Sequence, residues 1–124
     1  MSKFLDLSLS DELDKKIKDD INNVIDSKNF INGPEVKIFE DNFKNYLNCK
    51  YFIGLGNGTD ALEIALKSLE LTDDSEVIVQ GNTYVATCQS VINNNLKLIT
   101  CDVNKYTYQI DIDDLNKKIT FNTK

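Results

Sequence analysis

The sequence contains no histidine, arginine or tryptophan, and only one proline among its 124 residues. Without histidine, the chain lacks the side chain that most often serves as a general base and as a metal ligand. Without arginine, it has no side chain that can bind a carboxylate or a phosphate through two parallel hydrogen bonds. Any anion that this chain binds must therefore be held by backbone N–H groups, hydroxyl groups, side-chain amides or lysine.

The cysteines Cys49, Cys88 and Cys101 are too few and too widely spaced for a disulfide framework or a zinc site. A catalytic thiol is also disfavoured, because no histidine could activate it. The N-terminus has neither the basic nor the apolar region of a signal peptide, and no apolar run approaches membrane-spanning length. We therefore expect a cytoplasmic protein with structural thiols and no membrane partner.

The charge and the composition narrow the class of protein further. A net charge of -6, without any cluster of lysines, argues against a nucleic-acid partner. Hydrophobic residues make up 41% and charged residues 27% of the chain, which is typical of a folded globular domain. A chain of this length can bury one modest core.

Short apolar runs alternate with amphipathic runs along the chain, which predicts an α/β fold with a mainly parallel sheet. We expect strands at residues 51–54, 76–80 and 96–101, a further strand opening at 119–121, and helices at 11–27, 34–48, 61–69, 84–92 and 111–118. Buried stripes are expected on the second and third helices, at Val36, Phe39, Phe43 and Leu47 and at Leu62, Ile64, Ala65, Leu66 and Leu69.

A glycine-rich turn joins the first predicted strand to the third predicted helix, with the sequence Gly54-Leu55-Gly56-Asn57-Gly58-Thr59-Asp60. Glycine permits positive φ and lets the backbone approach a ligand closely. The free N–H groups of the following helix, together with its macrodipole, favour an anion. We expect Asp60 to cap this helix and the Thr59 hydroxyl to offer a further donor.

The glycine spacing matches neither the nucleotide P-loop nor the dinucleotide fingerprint. Two interpretations of the turn stay open, an anion site and a turn that only reverses the chain. Because ligands of parallel sheets bind beyond the carboxyl ends of the strands, the loops 56–60 and 81–84 are expected to meet at one edge. Tyr84 could then stack on a flat ring attached to a bound phosphate, or it could merely cover the sheet edge.

Four blocks of residues carry a resemblance to a known family. They are Gly33-Pro34-Glu35-Val36 with Phe39-Glu40; Asn57-Gly58-Thr59-Asp60-Ala61-Leu62; Glu76-Val77-Ile78-Val79 with Asn82-Thr83-Tyr84-Val85-Ala86-Thr87; and Asp102-Val103 with Thr107-Tyr108 and Ile110-Asp111. In this order they resemble the N-terminal part of the DegT/DnrJ/EryC1/StrS sugar aminotransferases, which have the type I fold of enzymes that use pyridoxal 5'-phosphate. The glycine that this family has before Glu76 is replaced by Ser75, a change in a surface turn.

The resemblance implies a cofactor, a reaction and partners. Pyridoxal 5'-phosphate would be bound with its phosphate at Gly58, Thr59 and Asp60 and its ring stacked on Tyr84. The family transfers an amino group from glutamate to a keto sugar linked to a nucleotide. Its dimers build each active site from both subunits, so a homodimer or pairing with a full-length relative is also implied.

The lysine that binds the cofactor covalently lies, in this family, beyond the last residue of this sequence. We therefore assign no catalytic residue and expect residues 1–124 to be a truncated N-terminal part of the cofactor-binding large domain, inactive alone. Its helical portion would be residues 1–50 and its βαβαβ portion residues 51–124. The alternatives are a non-catalytic phosphate-binding or interaction module, or the remnant of a split enzyme.

Overall fold

The structure is a computed structural model that describes residues 4–124, and these divide into two compact units between Gly54 and Leu55. Residues 1–3 of the predicted helical portion lie outside the described residues. The helices and strands, in chain order, are α1 (Asp11–Ser27), α2 (Pro34–Leu47), α3 (Gly58–Lys67), β1 (Glu76–Gln80), α4 (Val85–Asn93), β2 (Lys97–Cys101) and α5 (Ile112–Lys118).

Helix α1 begins and ends at the predicted residues. Ser10 Oγ accepts a hydrogen bond from the Leu13 N–H at 3.3 Å, which satisfies one of the donors that a first turn leaves open. At the other end, Lys28 adopts a left-handed conformation and its N–H donates to the Ile25 carbonyl at 3.2 Å. Local signals define this helix, since none of its residues is buried.

Helix α2 also has its predicted bounds. Pro34 occupies its first turn, where a missing N–H costs nothing, and Asn48 ends it in a left-handed conformation. The predicted burial of its apolar stripe is wrong, because the stripe is 37% to 52% exposed at Val36, Phe39, Phe43 and Leu47. Its aromatic neighbour beyond the helix is Phe52, whose ring lies 4.9 Å from that of Phe43 and 5.7 Å from that of Phe39.

The strand predicted at residues 51–54 does not form. A strand requires a hydrogen-bonded neighbour, and the structure provides none for this segment among residues 4–124. The Gly54 N–H instead donates to the Glu40 carboxylate at 2.8 Å. The backbone N–H of Gly54 is therefore bonded to a side chain of α2 and not to a neighbouring strand.

The second unit is built on a parallel pair of strands. Glu76 of β1 lies opposite Lys97 of β2, and Gln80 lies opposite Cys101. The core consists of Val79, Val91 and Leu96, from β1, α4 and the turn before β2. The predicted α/β class is confirmed by this arrangement. Within the described residues, no helix is both long enough and apolar enough to cross a membrane.

Two predictions for this unit need correction. Of the predicted stripe of α3, Leu66 packs against the core, whereas Leu62, Ile64, Ala65 and Leu69 are exposed. The strand expected at 119–121 is also wrong in position, because the parallel bridge to β1 forms at Thr123. There the Glu76 N–H donates to the Asn122 carbonyl at 2.9 Å, and the Lys124 N–H donates to the Glu76 carbonyl at 3.1 Å.

Candidate functional site

The N-terminus of α3 is capped by Asn57. Its Oδ1 accepts a hydrogen bond from the Asp60 N–H at 3.0 Å, and its Nδ2 donates to the Asp60 carboxylate at 3.0 Å. The predicted cap, Asp60, and the predicted helix start, Ala61, are therefore both wrong, since α3 begins at Gly58. The physical reason is that a cap at Asn57 makes two bonds to Asp60, one from the Asp60 backbone N–H and one to the Asp60 carboxylate, which resembles a capping box except that the carboxylate accepts from the cap's side chain.

The first turn of α3 retains two free backbone donors. Among residues 4–124, the structure provides no hydrogen-bond acceptor for the N–H groups of Gly58 and Thr59. Both groups lie at the positive end of the helix macrodipole. This combination of free donors and positive potential suits an anion such as phosphate.

Gly58 leaves open space beside these donors. No described glycine has a positive φ, so the conformational reason expected for the glycines of the turn does not apply. A Cβ built on Gly58 would meet no atom within 4 Å. A ligand could therefore approach this backbone without displacing any side chain.

Tyr84 lies at the N-cap position of α4, with φ -65° and ψ 136°, so the helix begins at Val85, one residue later than predicted. The residue is 77% exposed, so protein atoms cover little of it. The hydroxyl groups of Thr83 and Thr87 lie 3.4 Å apart across the same turn. Tyr84 thus offers a flat apolar surface beside polar groups.

The first turn of α3 and the first turn of α4 line one open cavity of about 400 Å³. The lining residues are Asn57, Gly58, Thr59, Leu62, Tyr84, Ala86 and Thr87. Of the predicted site residues, the structure brings Gly58, Thr59 and Tyr84 together. The lining of the cavity does not include Asp60, which bonds to Asn57.

The sequence prediction missed four of these lining residues, which are Asn57, Leu62, Ala86 and Thr87. A signal for Asn57 was present, because asparagine followed three residues later by an acidic residue is a typical helix start. None of the lining side chains is charged. Attraction of an anion would thus depend on the backbone N–H groups and the hydroxyl groups.

The thiols lie outside this cavity. Cys101 is buried, and burial is the largest of the effects that raise the pKa of its thiol. Its Sγ lies 3.5 Å from the Asp102 carbonyl oxygen and 3.6 Å from that of Asp111, and the single S–H proton can be donated to either. A raised pKa leaves less reactive thiolate, which agrees with the structural role predicted for this residue. In the described part of the chain, no group of three or more potential ligands could hold a metal ion.

Comparison with known proteins identifies the family. Residues 11–124 match the family model described as the DegT/DnrJ/EryC1/StrS aminotransferase family. The chain belongs to this family. The resemblance predicted from the four blocks of sequence is thus confirmed.

Two curated DegT/DnrJ/EryC1/StrS relatives match over 100% of the chain. The chain is 36% identical to a dTDP-3-amino-3,6-dideoxy-alpha-D-galactopyranose transaminase of Aneurinibacillus thermoaerophilus and covers 34% of its length. It is 37% identical to a UDP-2-acetamido-2-deoxy-3-oxo-D-glucuronate aminotransferase of Pseudomonas aeruginosa and covers 35% of its length. The chain therefore spans about a third of the length of these relatives.

A solved structure supports the same family and fold. The crystal structure of NtdA from Bacillus subtilis, with bound cofactor PMP, superposes on 100% of the chain with a TM-score of 0.87 at 31% sequence identity. The chain covers 29% of that protein. The α/β fold of this chain is thus part of the fold found in aminotransferases that use pyridoxal phosphate.

Proposed function

We propose that residues 1–124 form the N-terminal part of the large domain of a pyridoxal-phosphate-dependent aminotransferase that acts on nucleotide-linked keto sugars. The observation that supports this most is the single cavity lined by Gly58, Thr59 and Tyr84. It combines free backbone donors with an aromatic ring, which suit the phosphate and the ring of a phosphorylated pyridine. The named activities of the two curated relatives support the substrate class.

Each residue has a defined role in this proposal. The N–H groups of Gly58 and Thr59 and the Thr59 hydroxyl donate hydrogen bonds to the phosphate, while Tyr84 stacks on the ring and keeps water from one face. Asp60 contributes as the last residue of the phosphate-binding turn, and its bonds to Asn57 hold that turn in place. When bound, the cofactor supplies the electron sink for amino transfer.

The proposal includes glutamate as the amino donor, a dimer whose sites use residues of both subunits, and a cytoplasmic location. Because we expect residues 1–124 to be inactive alone, the donor is tested in a protein that also supplies the cofactor-binding lysine, by following an isotope-labelled amino group from glutamate to a dTDP- or UDP-linked keto sugar by mass spectrometry. Sedimentation of the chain, alone and mixed with its Pseudomonas relative, tests for self-association and for pairing. Label that comes only from another amino acid would contradict the choice of glutamate.

Cofactor binding is tested by titrating the chain with pyridoxamine 5'-phosphate and, separately, with inorganic phosphate. Thr59→Ala should weaken both ligands about ten-fold, because each loses one hydrogen bond to an anion. Tyr84→Ala should weaken pyridoxamine 5'-phosphate by a similar factor and leave inorganic phosphate unchanged, since phosphate has no ring to stack.

Tyr106→Ala is the matched control for Tyr84→Ala. Tyr106 is 79% exposed, close to the 77% of Tyr84, and it does not line the cavity. This variant should bind both ligands as the wild type does. Equal losses in the two tyrosine variants, or no saturable binding by the wild type, would rule out the proposed site.

A further inference from the structure

Gln80, the last residue of β1, bonds to two separate loops. Its Nε2 donates to the Asn82 carbonyl at 3.0 Å and to the Tyr108 carbonyl at 3.0 Å. Both partners are carbonyl oxygens, so only the NH₂ end of the carboxamide can make these bonds, and its orientation is determined. Both N–H donors of the side chain are thereby used.

The first of these bonds acts on the turn that carries Tyr84. Gly81 at the start of this turn is held by its N–H, which donates to the Cys101 carbonyl at 2.8 Å. The bond from Gln80 to Asn82 extends that support to within two residues of Tyr84. Because Tyr84 is largely exposed, packing does little to hold its ring, and the backbone of this turn determines where it lies.

The second bond ties this turn to the loop after β2. Tyr108 has a positive φ of 58°, a conformation that is uncommon for a residue other than glycine. It is stabilised by the Tyr108 N–H, which donates to the Asn104 carbonyl at 2.8 Å, and its own carbonyl accepts from Gln80. One carboxamide thus joins the two loops that follow the two strands.

We propose that Gln80 is a positioning residue, whose carboxamide holds the turn 81–84 so that the ring of Tyr84 covers the pyridine of the cofactor. This role rests on the proposed function, because it needs a cofactor beside Tyr84. It also requires a glutamine: glutamate would bring a carboxylate against two carbonyl oxygens, and methionine has a similar length but no donor.

The test compares Gln80→Glu and Gln80→Met with the wild type and with Gln89→Glu. Gln89 is exposed on α4 and does not line the cavity, so Gln89→Glu makes the same chemical change away from the turn. Backbone order parameters from nuclear magnetic resonance report the rigidity of residues 82–84. The circular dichroism that the protein induces in bound pyridoxamine 5'-phosphate reports how firmly the ring is oriented.

In both Gln80 variants we expect the order parameters of residues 82–84 to fall from about 0.85 to below about 0.6. The induced dichroism should be lost and affinity for pyridoxamine 5'-phosphate should fall about five-fold, with inorganic phosphate bound as before. The Gln89→Glu protein should match the wild type in every measurement.

Two failures are distinguishable. If the wild type binds pyridoxamine 5'-phosphate and the Gln80 variants keep both the induced signal and a rigid turn, the role of Gln80 is overturned while the proposed function stands. If the wild type binds neither ligand, the proposed function fails, and the role of Gln80 toward a cofactor fails with it.

Discussion

The two units of this chain differ in how their residues are buried. Among residues 4–54, Gly33 alone is buried, and the apolar faces of α1 and α2 remain exposed. Among residues 55–124, Val79, Val91 and Leu96 form a buried cluster between a sheet and a helix. The first unit therefore depends on local helix signals, and the second on contacts between distant parts of the chain.

This difference also locates the candidate site. Its cavity is built on the unit that has a core, at the beginnings of α3 and α4. Bringing two helix starts together requires a scaffold that fixes both, and buried packing provides one. The comparison predicts that substitutions of the same type will have unequal effects in the two units.

The largest difference is expected between Leu96→Ala and Leu13→Ala. Leu96 is 7% exposed in the core, so its truncation should lower the free energy of unfolding by about 3 kcal/mol. Leu13 of α1 is 46% exposed, so the same truncation should cost less than about 1 kcal/mol. Urea unfolding followed by far-ultraviolet circular dichroism measures both. Equal losses would mean that the first unit has a core of its own.

A second contrast comes from two glycines at helix starts. A Cβ at Gly33 would lie 2.5 Å from the Asn29 carbonyl oxygen, which is a backbone atom that cannot easily move. Gly33→Ala should therefore cost about 2 kcal/mol through overpacking. At Gly58 a Cβ meets nothing within 4 Å, so Gly58→Ala should change stability by less than about 0.5 kcal/mol. Thermal unfolding of both variants measures these losses. A larger loss of stability in Gly58→Ala than in Gly33→Ala would contradict the prediction.

A smaller contrast is expected between the caps of α3 and α1. Asn57→Ala removes two hydrogen bonds of 3.0 Å and should cost about 1 kcal/mol. Ser10→Ala removes one bond of 3.3 Å and should cost about 0.5 kcal/mol. Amide hydrogen exchange in the first two turns of each helix resolves the two effects. A larger increase in exchange, relative to the wild type, in α1 after Ser10→Ala than in α3 after Asn57→Ala would contradict this order.

The smallest effect is a pH dependence. The Asp102 N–H donates to the Asp114 carboxylate at 2.8 Å, and this bond holds the pKa of that carboxyl below its ordinary value of 3.8. A lowered pKa stabilises the fold above the ordinary value, and this stabilisation is lost as the pH falls through the folded-state pKa. The free energy of unfolding, measured with urea, should be lower at about pH 3 than at about pH 6. This difference should be smaller in Asp114→Asn than in the wild type.

Asp6 is the matched group in the first unit. The Ser8 hydroxyl lowers the pKa of the Asp6 carboxyl, as does the Ser8 N–H. This contact spans two residues and can also form in the unfolded chain, so Asp6→Asn should leave the pH dependence of stability unchanged. An equal change in both variants would mean that the local contact is specific to the folded state.

The sequence predicted the elements that depend on neighbouring residues. The start and stop signals of α1 and α2 include Ser10, Pro34 and Asn48, and both helices begin and end where these signals predict. The strand β1 was also predicted residue by residue, because its apolar centre is short and β-branched. Features that depend on a distant partner were less predictable: residues 51–54 formed no strand, and the stripe of α2 was not covered.

The site follows the same rule. Thr59 and Tyr84 line one cavity, as the sequence predicted, although the strand at 51–54 on which that prediction rested does not form. The cap was not predicted, since Asn57 and Asp60 are both good capping residues and only the reciprocal bond distinguishes them. The support that Gln80 provides depends on Tyr108, which lies 28 residues away, and no local pattern reveals it.

The bridge at Thr123 determines the order of layers in the second unit. Glu76 has a parallel neighbour on each side, Lys97 on one and Thr123 on the other. The chain therefore moves in one lateral direction from β1 to β2 and in the opposite direction afterwards. Since such crossovers are right-handed, the reversal puts α4 and α5 on opposite faces of the sheet. Cover on both faces favours an uninterrupted apolar run in the strand, and in β1 Val79 is buried while Val77 and Ile78 are half-buried.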